Sequence, residues 1–208
     1  MKGILLIRFF TVREEKLLRI LVPDGVLRLR ALAAAGKSSK FGLSLEPPLF
    51  MDFERAGSRL IEYTVLDSFN GIKSNPFVYF LFWTQAALTS VLFPEGAGEV
   101  PFEEFLAFLF FLENLSGEKS NFQDDGVRSR EEFKRCVIAK TTKFMLHLLK
   151  TSGWLSDKSY DEVMRKAGRG NITHGQFLKI YEKVLFKLGL DYPVQKIEEF
   201  WETFSRWE

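Results

Sequence analysis

Leu17-Leu18-Arg19-Ile20-Leu21-Val22-Pro23-Asp24-Gly25-Val26-Leu27-Arg28-Leu29-Arg30-Ala31 is the most informative segment of the 208-residue chain. Two aliphatic runs flank Pro-Asp-Gly, whose residues suit a tight turn, so the segment reads as a β-hairpin. Similar runs occur at Ile4–Thr11 before it and at Leu45–Phe53 and Arg59–Phe69 after it, with Glu54–Ser58 turning the fourth run into the fifth. Third-strand residues are expected over Val26–Ala33 and second-strand residues over Leu17–Val22. Five short antiparallel strands within about 70 residues suit a closed barrel, because closure removes exposed strand edges. The longer gap after the third run favours an OB-type barrel over an SH3-like one.

Side chains alternate across a strand, which puts Leu27, Leu29 and Ala31 on one face and Arg28 and Arg30 on the other. The first strand is apolar on both faces, with Ile4 and Leu6 on one and Leu5, Ile7 and Phe9 on the other, so its outer side needs a cover. The helical part of the chain is the expected cover.

Asn70-Gly71-Ile72-Lys73-Ser74-Asn75-Pro76 marks a boundary, with Pro76 suited to a first helical turn. Beyond it the apolar period changes to that of a helix: Phe77, Phe80, Leu81, Thr84, Leu88 and Val91, then Phe105, Phe108, Leu109 and Leu112 after Pro101. Further helices are expected over Glu131–Lys150, Asp157–Lys166, Thr173–Leu188 and Val194–Trp207, with Gly117–Arg130 a polar loop. The expected class is thus α+β, an OB-type barrel over 1–70 followed by an all-helical, aromatic-rich domain over 76–208.

The formal net charge of +2 over 208 residues identifies no partner, but its distribution is uneven. Residues 1–45 carry +6 and the remainder −4. Arg19, Arg28 and Arg30 fall on the second and third strands, and Lys37 and Lys40 fall in a loop with Gly36, Ser38, Ser39 and Gly42. Phosphate binding needs cations spread over one surface, and those strands form the usual binding face of an OB barrel. These five residues are therefore the candidate DNA contacts. No stacking aromatic is evident among them, so contact with the sugar-phosphate backbone is expected rather than base readout.

Other chemistry finds no support. Ala35-Gly36-Lys37-Ser38 resembles the end of a phosphate loop, but Ala31 stands where its first glycine is required. Asn121, Gln123, Asp125, Gly126 and Glu132 follow a calcium-loop frame that lacks its first carboxylate and carries Arg128 at an apolar position. Cys136 is the single cysteine, and His147 and His174 lie in helical contexts, so neither a disulfide nor a zinc site is expected. The acidic pairs Glu103-Glu104 and Glu198-Glu199 read as solvated helix surface. Neither an enzyme nor a cofactor is expected. The apolar segment from Pro76 to Phe93 contains Thr84, Gln85, Thr89 and Ser90, which favours a buried helix over a membrane span. The apolar start at Ile4 is broken by Arg8 and reads as a strand rather than a leader, and the expected compartment is the cytoplasm. Nine of the 22 Phe residues lie between Phe77 and Phe111, a density expected mainly from core packing and alternatively from a groove for a protein partner.

The order of motifs resembles the RecO family of bacterial DNA-repair and recombination mediators. Ser39, Leu45 and Pro47 match its segment after the third strand, and Leu148, Leu149, Gly153 and Trp154 match its Leu-Leu-x-x-x-Gly-aromatic segment. The chain departs from the family at Ala35, where a Lys is usual, which moves that expected phosphate contact to Lys37, and it lacks the four-cysteine zinc site of many members. The resemblance implies binding and annealing of single- and double-stranded DNA. It also implies help in loading recombinase on DNA coated by single-strand-binding protein, alongside a RecR-like partner.

Overall fold

The structure, a computed structural model, describes residues 1–10, 15–31, 45–118 and 130–168, with Lys179. Five strands, β1 (Lys2–Phe10), β2 (Lys16–Val22), β3 (Gly25–Ala31), β4 (Leu49–Ala56) and β5 (Arg59–Asp67), close into a barrel in the order β1-β2-β3-β5-β4. Helices follow, so the class is α+β. Leu5, Leu18, Ile20, Val22, Leu27, Leu29, Ala31, Leu45, Leu49, Met51, Phe53 and Leu60 fill the interior, with Tyr63 packed beside them. Each large aliphatic side chain so buried contributes about 1.5–3 kcal/mol before the entropy of ordering it. Gly3 is needed in this wall because a Cβ there would meet Ile20 and Phe53 side chains at 2.6 and 2.7 Å.

Strand β1 carries a bulge. Leu5 pairs with Ile20 and Ile7 with Arg19, so Leu6 is an extra residue opposite no partner on β2. The insertion inverts the alternation of everything after it. Phe9, expected on the same face as Leu5, instead pairs with Leu17 on the outer wall, and Arg8 pairs with the inward Leu18. Arg8 then donates from Nη1 to the Leu45 carbonyl at 2.9 Å.

The strand-to-helix change falls between Asp67 and Asn70, but the stretch read as a boundary turn is itself a short helix, α1 (Asn70–Ser74). Glu113 holds it, accepting from the Gly71 and Ile72 amides at 2.8 and 2.9 Å, which satisfies donors that a helix start leaves open. Helix α2 (Pro76–Leu92) starts at the proline expected there, and α3 (Phe102–Glu118) extends through Gly117 and Glu118, which the sequence had assigned to a loop. α2 packs on β1, and Ile4 and Leu6 are fully buried. Phe82, Phe93, Phe102, Phe105 and Phe108 are buried and Phe110 is exposed, so most of the aromatic density with described side chains is core. Thr84, Gln85, Thr89 and Ser90 are buried as well. The segment after α2 is bonded to the β2–β3 turn: the Val26 amide donates to the Phe93 carbonyl at 2.9 Å and the Gly96 amide to the Asp24 carbonyl at 3.1 Å.

Met1–Glu118 form one compact unit and Lys119–Glu208 a second. In the second, α4 (Arg130–Thr151) and α5 (Asp157–Gly168) pack on each other. The Leu-Leu-x-x-x-Gly-aromatic segment is the end of α4: Leu148 and Leu149 are buried, and Gly153 at φ 77° lets the Trp154 amide return to the Leu149 carbonyl at 2.9 Å. The helices expected over 173–188 and 194–207, apart from Lys179, which is helical, and the loop over 119–129 with Asn121, Gln123, Asp125 and Gly126 of the calcium-like frame lie outside the described residues, while Glu132 of that frame belongs to α4.

Candidate nucleic-acid interface

Strand register builds the site. Across the outer wall, Ile7, Arg19 and Arg28 form one row, and Phe9, Leu17 and Arg30 the next. The second row continues onto β5, where Arg59 pairs with Arg30 in parallel and the Arg30 amide donates to the Ser58 carbonyl at 2.7 Å. Phe9, Leu17, Leu18, Arg19, Arg28, Leu29, Arg30 and Ser58 line a surface depression of about 350 Å³. Arg28 and Arg30 are exposed, as their alternation predicts, and among the described residues neither side chain has an ion-pair partner. Exposed guanidinium groups keep their donors for a ligand, and an arginine can address a phosphate with two parallel hydrogen bonds.

Arg19 is held differently. Its Nη1 donates to Ser90 Oγ on α2 at 2.7 Å, and its guanidinium carbon lies 5.5 Å from the centre of the Phe9 ring. Burial, and then the charge of Arg28, pull its pKa down from the ordinary arginine value. Arg19 and Arg28 stand opposite each other in the β2–β3 register, so their like charges repel. Arg19 is thus partly committed to the protein while it also lines the depression.

Lys37 and Lys40 lie outside the described residues; they follow β3 in the chain. Two members of the face were not legible from the sequence. Arg59 joins it only through closure of the barrel between β3 and β5, a long-range pairing with no local signal. Phe9 joins it through the bulge. The sequence expectation that no aromatic stands among these cations is therefore corrected: Phe9 is 45% exposed and Leu17 37% exposed on this wall.

No family model matches the chain, and no curated protein matches it. The likeness to RecO rests on the motif residues named above. Among the described residues no His, Cys, Asp and Glu side chains gather as a metal site, and no helix is long and apolar enough to cross a membrane.

Proposed function

We propose that this protein is a non-enzymatic DNA-binding protein of RecO type, whose barrel is of OB type and binds phosphates across β2 and β3. The observation that carries the reading is the pair Arg28 and Arg30, exposed, without ion-pair partners among the described residues, and lining one depression, with Arg59 paired to Arg30 across the β3–β5 seam. Cations released from internal pairing and aligned along a groove are what backbone binding requires, since such binding draws its free energy from neutralised phosphates and released counterions. Arg19 also lines the groove, and Lys37 and Lys40 extend the positive run along the chain after β3.

The wider role follows from the motif resemblance. The protein anneals DNA strands and assists recombinase loading on DNA coated by single-strand-binding protein, with a RecR-like partner, in the cytoplasm. It needs no cofactor, because annealing and loading are binding events.

A fluorescence-anisotropy titration of single- and double-stranded DNA at low salt tests the DNA-binding core of this reading. The parent protein is expected to bind, and the variant Arg28→Ala/Arg30→Ala/Lys37→Ala/Lys40→Ala to lose most of that affinity. Equal binding by parent and variant would show that the site lies elsewhere.

A further inference from the structure

Phe9 stands exposed on an outer wall whose neighbouring strands carry Arg19, Arg28 and Arg30. Phe9 is nonetheless held in place there. The bulge at Leu6 turns it outward, and the Arg19 guanidinium, itself tied to Ser90 Oγ at 2.7 Å, lies against its ring at 5.5 Å. Leu17, its cross-strand partner, adds a second apolar surface beside it. Phe9 is still 45% exposed, and it lines the same depression as Arg28 and Arg30.

A cation against an aromatic ring leaves the rest of the ring able to accept a planar group, and stacking on a fixed side chain costs little ordering entropy. A volume of about 350 Å³ is at the small end of ligand clefts and suits one planar ring system better than a folded segment. We infer that Phe9, backed by Arg19 and flanked by Leu17, is a stacking platform for one unpaired nucleobase whose flanking phosphates reach Arg28 and Arg30. This inference rests on the nucleic-acid reading above and goes beyond it: it assigns an apolar subsite and a preference for single strands. Bases in a duplex are stacked on their neighbours and present no free face, whereas any base of a single strand does. The subsite is accordingly tolerant of base identity.

The test uses anisotropy with the full chain and three labelled probes: an oligothymidylate, an abasic oligomer of the same length, and a blunt duplex. The parent is expected to bind oligothymidylate more tightly than the abasic oligomer. Phe9→Ala should weaken oligothymidylate binding about tenfold and leave abasic binding unchanged, and Phe9→Trp should restore it. If Phe9→Ala binds oligothymidylate as the parent does while Arg28→Ala/Arg30→Ala loses it, the stacking subsite is wrong and the phosphate reading stands. An equal loss on both oligomers would also overturn stacking, because the substitution would then act on the barrel rather than on a base. Absence of binding to all three probes by the parent would overturn both.

Discussion

Arg19 Nη1 donates to Ser90 Oγ at 2.7 Å, joining the outer wall of the barrel to the buried polar side of α2. Ser90 in turn donates to the Ala87 carbonyl at 2.9 Å, so the hydroxyl both gives and accepts. A partly buried guanidinium that loses its acceptor keeps its desolvation cost. Ser90→Ala should therefore lower stability by about 1–3 kcal/mol, measured by urea denaturation. A change near zero would show that solvent satisfies Arg19 and that α2 does not hold it.

The β2–β3 turn makes a second prediction. Gly25 has φ 130°, and a Cβ there would lie 2.4 Å from the Pro94 carbonyl oxygen. Backbone on both sides leaves no flexible atom to yield. Gly25→Ala is expected to cost at least about 1–3 kcal/mol, read as a lower thermal midpoint. Gly57→Ala, also at positive φ but with nothing near its Cβ, should cost less.

Lys16 gives stability a pH dependence. The residue is buried, and desolvation first, then the charge of Arg8, lower its pKa against the opposing charge of Glu46. A lysine whose folded pKa lies below its unfolded value penalises the folded state while it is charged in both. As pH rises through the window between the lowered value and the ordinary lysine range, the unfolded chain binds more protons and stability increases. Lys16→Met should be at least as stable as the parent at neutral pH and should show a smaller rise toward alkaline pH in urea denaturation. Lys73, lowered mainly by burial, keeps part of that rise in the variant. An unchanged pH profile with a large loss of stability would contradict this assignment.

The hairpin around Pro23-Asp24-Gly25, the outward pair Arg28 and Arg30, and the helix start at Pro76 were legible because each depends on local chemistry: turn residues, a period of two, and proline at a first turn. Phe9 was not legible. One unpaired residue in β1 reverses every later side chain, and nothing in Ile4-Leu5-Leu6-Ile7 marks which residue is extra when all four are apolar. Arg59 escaped for another reason, since its pairing with Arg30 spans 29 positions and exists only once the barrel closes. The α1 helix was read as a turn because Asn70-Gly71 is turn chemistry, and its stabilising partner, Glu113, lies far along the chain on α3.

The proposed contact of Arg28 and Arg30 with phosphates can be read from a single slope. Its most direct test is the salt dependence of single-stranded DNA affinity, plotted as log Kobs against log salt for the parent and for Arg28→Ala/Arg30→Ala. Each phosphate contact contributes about 0.7 to 1 to the slope, so the variant line should be shallower by about 1.4 to 2 and should lie below the parent at low salt. Parallel lines of equal affinity would contradict the claim.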